Sequence, residues 1–237
     1  MTPETIKSPG HLLKMLDSLM REPAPFWDQF YKDRTRSIPF FTEYPDENLV
    51  AYLDSERFPK GRMLELGCGP GRNAIYANLQ GFEVDAIDIS ENAIAWAEER
   101  AKQRNSDVRF RCQSVFDLYI PEKYDFVYDS GCLHHLWPHR RIGYIETIRQ
   151  ALKPGGHFGL TCFAPGFVEM GGAVESTDWD IYRDRSMKGG QAYSKDKLLD
   201  LFGDDFTLIE FRPMRECHDT DETFGVPFLS ASLWRKN

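Results

Sequence analysis

The residues of this chain that can do chemistry gather in two places. The first is Glu65-Leu66-Gly67-Cys68-Gly69-Pro70-Gly71, which follows the apolar pair Met63-Leu64 and leads into a helix-like run from Arg72 to Gln80. Strand, glycine-rich turn and helix in that order bring backbone N–H groups up to a ligand. Glycines at alternate positions remove Cβ atoms, so the chain can turn sharply and touch a bulky group. Asp88 completes this first place. It ends the strand-like run Phe82 to Asp88, about 20 residues past Gly67. A nucleotide-binding α/β fold places there the carboxylate that accepts hydrogen bonds from ribose hydroxyls. The dinucleotide fingerprint G-x-G-x-x-G requires glycine where Arg72 stands, so the turn suits a nucleoside-type cofactor better than a pyrophosphate.

The second place is His134-His135, just past a fourth strand-like run. Imidazole titrates near neutrality, so either ring can serve as a base or orient a nucleophile. Equally, either is a hydrogen-bonded loop histidine. His134, His135 and His139 have no carboxylate fixed beside them by spacing, so no metal is expected. Cys132 has no base fixed beside it either, which disfavours a nucleophilic thiol. Phe26, Trp27 and Tyr31 either line a pocket or pack the N-terminal segment, and Phe163 and Tyr193 carry the same two readings. Glu65 anchors the turn. Ile142, Ile145, Ile148 and Leu152 recur at helical spacing and belong to a core.

Strand and helix signals alternate from Arg62 to Phe163, which predicts parallel strands with helical crossovers. Strands are expected at 62–66, 83–88, 108–112, 125–129 and 157–163. Gly81 ends the first intervening helix and Ser90 caps the second. Pro138 opens a helix running to about Lys153, and Pro154-Gly155-Gly156 turns the chain into the fifth strand. After a helix from Ser194 to Phe202, two more strands are expected at 206–212 and 228–234. About 15 polar residues separate them. That is poor material for a crossover helix, so the pair is expected to be antiparallel. Two segments fall outside the sheet. Residues 1–60 hold an amphipathic helix around His11 to Arg21 and the aromatic stretch Phe26 to Tyr31, and form a cap. Residues 164–193 form a long irregular segment, read as a lid. The fold class is thus a Rossmann-like, doubly wound, mostly parallel seven-stranded sheet with an antiparallel C-terminal hairpin, in one domain over 1–237.

A net charge of −8 argues against a partner bound through its phosphate backbone. The five cysteines are odd in number and form no C-x-x-C pair, which fits free thiols in a reducing compartment. With no basic-then-apolar leader and no apolar run approaching a membrane span, a cytoplasmic protein without membrane contact is expected.

Taken together, Glu65 to Gly71, Asp88 and the Leu152-Lys153-Pro154-Gly155-Gly156 turn resemble the class I S-adenosylmethionine-dependent methyltransferases, over about residues 60–235. Gly67 to Asn73 is similar to the tellurite-resistance methyltransferases. Ser114 to Leu118, with Tyr128 to Gly131, resembles the thiopurine and thiol methyltransferases. The resemblance implies S-adenosylmethionine as cofactor and S-adenosylhomocysteine as product. It implies that Gly67, Cys68, Gly69 and Asn73 wrap the methionine end, with Trp27 nearby, and that Asp88 takes the ribose hydroxyls. Ile89, Ser114, Val115 and Phe116 would enclose adenine, and Asp129 and Ser130 would reach the amino and sulfonium region. Ser114 stands where many relatives carry Asp.

The expected activity is methyl transfer to a small molecule, with sulfur or another soft atom as first choice of acceptor. The alternatives are an oxygen or nitrogen acceptor, or a regulatory protein that binds the cofactor without turnover. An NAD-dependent oxidoreductase is disfavoured by Arg72 and by the terminal hairpin. A DNA amino-methylase is disfavoured because Asp129-Ser130-Gly131-Cys132 stands where its N-P-P-[YF] run would be.

Overall fold

The computed structural model describes residues 5–55, 60–120, 122–170 and 172–237. Residues 1–4 and 56–59 of the expected cap and Gly171 of the expected lid lie outside the described residues, as does Pro121. The strands are β1 (Arg62–Leu66), β2 (Glu83–Asp88), β3 (Arg109–Cys112), β4 (Tyr124–Ser130), β5 (Leu152–Phe163), β6 (Phe206–Pro213) and β7 (Leu229–Lys236). They form one seven-stranded sheet in the order β3-β2-β1-β4-β5-β7-β6. β1 to β5 are parallel, and β7 lies antiparallel between β5 and β6. The helices are α1 (Pro9–Ser18), α2 (Pro23–Lys32), α3 (Glu47–Asp54), α4 (Arg72–Leu79), α5 (Glu91–Arg104), α6 (Arg141–Ala151), α7 (Asp178–Asp184) and α8 (Lys195–Phe202).

The central strands are apolar on both faces, as a sheet covered on both sides must be. Successive side chains point to opposite faces, so neighbours serve different cores. Leu64, Val127 and Phe158 pack with Tyr144 and Ile148 of α6 and with Leu198 and Phe202 of α8. Met63, Phe126 and Tyr128 pack on the other face with Leu49 and Tyr52 of α3 and with Ala74 and Ala77 of α4. The sheet order reverses between β1 and β4. At such a switch point the loops after two neighbouring strands diverge and leave a crevice beyond their carboxyl ends.

Two expectations need correction and a third is completed. The helix after Pro138 stops at Ala151, because Leu152 is already paired with Tyr124. The Leu152 to Gly156 turn is therefore the irregular head of β5. The aromatic stretch at Phe26 to Tyr31 lies within α2. The 164–193 segment is not wholly irregular, because Thr177 and Asp180 form a capping box that starts α7. The five cysteines are free, and no described helix is long and apolar enough to cross a membrane.

Candidate functional site

A cavity of about 490 Å³ lies at the switch point. Its polar rim comes from the carboxyl ends of three strands: Gly67 after β1, Asp88 and Ile89 after β2, and Ser130 to Cys132 after β4. Gln113 to Phe116, after β3, close one end.

The elbow after β1 is built by backbone necessity. Gly67 has φ +67° and Gly69 has φ +50°, in the left-handed region that other residues avoid. A Cβ on Gly67 would stand 2.8 Å from the Cys132 Cβ, and one on Gly69 would stand 2.9 Å from the Tyr31 hydroxyl. Asp88 holds the elbow in place, because its Oδ2 accepts the Gly69 N–H at 2.9 Å and its Oδ1 accepts the Ser90 N–H at 2.9 Å. Burial pushes the Asp88 carboxyl above its ordinary range, and these two donors oppose that.

Behind the elbow lies a polar network that the spacing did not announce. Arg72, first residue of α4, pairs with the fully buried Asp46 at 2.6 Å and donates to the Ser130 Oγ at 3.2 Å and the Tyr44 carbonyl at 3.1 Å. Its guanidinium also sits 4.4 Å over the Phe224 ring. Asp46 in turn accepts from the Tyr128 hydroxyl at 2.7 Å and from Asn73 Nδ2 at 3.2 Å. Glu65 is buried beside this group, and burial pushes its carboxyl up to about 8 against the pull of Arg72 and Asn73. The network keys the start of α3 into the sheet and points one cation, Arg72, at the cavity.

The loop after β4 is set by Asp129. Its carboxylate accepts the Cys132 N–H at 2.7 Å, the Leu133 N–H at 2.9 Å and the Tyr144 hydroxyl. Burial raises its pKa to about 6, and those donors pull the other way. The loop so fixed presents His134, whose Nδ1 accepts the Phe163 N–H at 3.1 Å. A backbone N–H can only donate, so Nδ1 carries no proton and the neutral ring bears it on Nε2. The ring stacks on Phe163, with centroids 4.0 Å apart. Burial holds its pKa well below the ordinary histidine value. His135 lies edge-on to Trp27 at 4.7 Å, and burial with the nearby Arg21 lowers it to about 4.

The N-terminal segment brings aromatic rings to the cavity wall, and the 164–193 segment brings Met170. Asp28 of α2 accepts from the Asn92 N–H at 2.9 Å and the Ser90 hydroxyl at 3.1 Å, which ties the cap to the start of α5. This seats Trp27, Phe30 and Tyr31 on the cavity wall. The lid is tied by the Gln191 N–H to the His134 carbonyl at 2.8 Å and by Asp178 to Arg141 at 2.8 Å. A third tie joins cap and lid: His139 bonds Asp17 of α1 at 2.8 Å and the Tyr182 hydroxyl of α7 at 2.7 Å.

Of the residues the sequence singled out, Trp27, Gly67, Asp88, Ile89, Ser114, Val115, Phe116, Ser130, His134 and His135 line one cavity. Four do not. Asp129 spends its oxygens on its own loop, and Asn73 spends its amide on Asp46. Cys68 turns its buried side chain into the core, and Gly69 backs against Tyr31. Phe163 and Tyr31 line the cavity, while Tyr193 is a core residue. Spacing did not announce Arg72 as a lining cation, nor Gln113, Phe40, Met170, Phe224 and Phe228 as lining residues. The last four come from loops whose folding over the sheet no local spacing reveals. Among the described residues, no three His, Cys, Asp or Glu side chains are grouped to hold a metal ion.

Residues 63–156 match the methyltransferase domain family. The probable S-adenosyl-L-methionine-dependent methyltransferase TehB of Haemophilus influenzae is 30% identical over 96 residues, which are 40% of this chain and 34% of that protein. The chain thus spans about a third of the length of that curated relative. Two solved structures share the fold. One, from work on the conversion of a disulfide bond into a thioacetal group during echinomycin biosynthesis, has a TM-score of 0.70 and 23% identity, and covers 90% of this chain and 91% of that one. The other is the Burkholderia thailandensis 1,6-didemethyltoxoflavin-N1-methyltransferase with 1,6-didemethyltoxoflavin and S-adenosylhomocysteine bound. Its TM-score is 0.66 at 20% identity, and the match covers 99% of this chain and 93% of that one.

Proposed function

From the premise that this chain belongs to the class I S-adenosylmethionine-dependent methyltransferases, we propose that it moves a methyl group from that cofactor to a small-molecule acceptor with a soft nucleophilic atom, sulfur first. One observation carries the reading. Gly67 of the glycine elbow, Asp88 and Ser114 line a single cavity at the switch point with the rings of Trp27, Phe30, Phe40, Phe163 and Phe228.

The residues present fit the cofactor. Gly67 presents bare backbone to the cavity, an acid stands at the end of β2, and a cation faces the rim. In this reading Asp88 receives the ribose hydroxyls. Ile89, Val115 and Phe116 flank the adenine, with Ser114 and Gln113 at its edge. Arg72 pairs with the cofactor's carboxylate, and Gly67 and Ser130 face its amino group. When bound, S-adenosylmethionine supplies an electrophilic methyl group on a leaving group that departs neutral. The protein's share is then alignment and exclusion of water. Holding two reactants in line is worth roughly 7–11 kcal/mol of barrier, and the rings of Trp27, Phe30 and Phe163 keep water from the chamber. A soft acceptor is supported by two features: among the described residues the one carboxylate on the cavity wall is Asp88, which this reading gives to the ribose, and the structural relative above comes from work on sulfur chemistry.

The test is calorimetric titration with S-adenosylhomocysteine, followed by transfer of labelled methyl across thiols, thiopurines, phenols and amines. No binding at high micromolar concentration would overturn the reading. Binding without turnover of any acceptor would reduce it to a regulatory binder.

A further inference from the structure

A second cleft, of about 30 Å³, lies between α4, α5 and the segment leading into α3, and Arg72 lines both it and the large cavity. Three arginines line it, Arg72, Arg100 and Arg104, against one carboxylate, Glu43. Asp46 already meets the charge of Arg72 at 2.6 Å. Glu43 is shared between Arg100, at 3.9 Å, and Arg104, at 3.8 Å. Both separations are too long for a hydrogen bond. A chain of net charge −8 thus keeps an excess cation at this one place.

Arg100 shows what the cleft lacks. The residue is 8% exposed. Its Nη groups donate to the carbonyls of Phe41, at 2.6 Å, and Thr42, at 3.2 Å, and its guanidinium lies 4.4 Å over the Trp96 ring. Those contacts hold the segment ahead of α3 on α5. They leave the buried Nε–H with no hydrogen-bond partner, facing Glu43. A buried donor on a cation is costly to leave unmade. Burial lowers the Arg100 pKa, the like charges of Arg72 and Arg34 add to this, and Glu43 opposes it. Arg104 stands one turn further along α5, a like charge where an opposite one would stabilise the helix. The side chains of Glu43 and Arg104 are 57% and 55% exposed. The cleft therefore opens to solvent on their side, and the Glu43 carboxylate has room to move out.

We propose that this cleft is an oxyanion site, which takes inorganic phosphate or the phosphate end of a phosphomonoester, and that Glu43 occupies it as a tethered stand-in. The space holds roughly two water-sized groups, which suits the leading oxygens of one phosphate, and the rest of the anion stays at the exposed mouth. The Arg100 Nε–H and the fork of Arg104 supply the donors. Guanidinium bonds to phosphate are charge-assisted and stronger than neutral ones. The site stands apart from methyl transfer. Its link to the cofactor rests on the methyltransferase reading. Arg72, the residue common to both cavities, then serves two anions, the bound phosphate and the cofactor's carboxylate. Like charges on one cation repel, so each ligand weakens the other.

The full chain is titrated with inorganic phosphate and with glycerol 3-phosphate at constant ionic strength, and binding is read by phosphorus NMR. Saturable binding is expected. Glu43→Gln should tighten it about 5-fold and Arg104→Gln should weaken it about 5-fold, because each changes one charge at the mouth. Unchanged circular dichroism shows that the variants are folded. Saturating phosphate should lower the affinity for S-adenosylhomocysteine about 5-fold, and that for 5′-methylthioadenosine, which has no carboxylate, by less than about twofold. Binding of both probes assigns the site to a phosphomonoester end, and binding of phosphate alone assigns it to the free ion. Either result supports the inference. No saturable binding to the wild type or to Glu43→Gln, or binding that Arg104→Gln leaves unchanged, overturns it. Equal effects of phosphate on the two nucleosides, or none on either, overturn the link through Arg72. If phosphate binds and S-adenosylhomocysteine does not, the methyltransferase reading falls and the oxyanion site stands.

Discussion

The two halves of the cavity are built on different principles. The cofactor half is made of backbone: the elbow after β1, the ends of β2 and β4, and N–H groups fixed by Asp88 and Asp129. The half proposed for the acceptor is made of side chains, chiefly aromatic, brought from α2, the segment holding Phe40, the end of β5 and the β6–β7 connection, with Met170 from the 164–193 segment. One half is specified by where the chain can turn, the other by what the chain brings over the top. A scaffold of the first kind holds one cofactor, while one of the second kind can change acceptor by changing a few rings.

The sharpest break is at the elbow. Gly67→Val forces a β-branched residue to φ +67° and drives its Cβ into Cys132. Left-handed strain and overpacking together should lower S-adenosylhomocysteine affinity by about 100-fold or more, read by calorimetry, with the fold kept by circular dichroism.

A smaller loss dissects the cofactor half. Arg72→Lys keeps a charge beside Asp46 but loses the fork that can meet a carboxylate. Affinity for S-adenosylhomocysteine should drop about 10-fold. Affinity for 5′-methylthioadenosine, which has no carboxylate, should stay within about twofold. Equal losses for both ligands would remove Arg72 from the carboxylate.

Phe228→Ala tests the other half. Acceptor KM should rise about 10-fold through lost aromatic area, while cofactor affinity moves by less than about twofold in competition titrations. A matching loss of cofactor affinity would mean that the halves are not separable.

The smallest effect is on stability. Glu65 has its carboxyl raised to about 8 from an ordinary 4.5. Between those values the folded state keeps a proton that the unfolded chain gives up. The contribution of Glu65 is therefore complete below pH about 4.5 and is lost as pH rises through 8. Against Glu65→Gln, the wild type should lose a few degrees of Tm between pH 5 and 8, measured by scanning calorimetry. A difference that stays flat, or grows the other way, would show that Glu65 is ionised throughout.

Much of the cofactor half was legible in the sequence, because positive-φ turns and helix caps are local. Gly67 takes a positive φ, Asp88 ends β2 on the cavity wall and Ser90 caps α5, each where its spacing places it. Asp129 and Asn73 have partners that local reading does not reveal. Both sit at positions that suggested ligand contact, yet Asp129 is consumed by Tyr144, fifteen residues on, and Asn73 by Asp46, twenty-seven residues back. Asp46 carries no motif that would have announced it. The same limit hid the tautomer of His134, which is decided by the Phe163 N–H across the β4–β5 pairing.

By itself, the chain's sequence determined the alternation of strands and helices, the antiparallel C-terminal pair and the cofactor elbow. Each of these follows from hydrophobic period, loop length or allowed backbone angles within a few residues. Tertiary structure alone decided that Arg72 faces the cavity, that His134 offers a proton rather than taking one, and that rings from four distant segments close the chamber. Those properties depend on which groups meet in space, and burial and hydrogen-bond partners exist only once the sheet, cap and lid have come together.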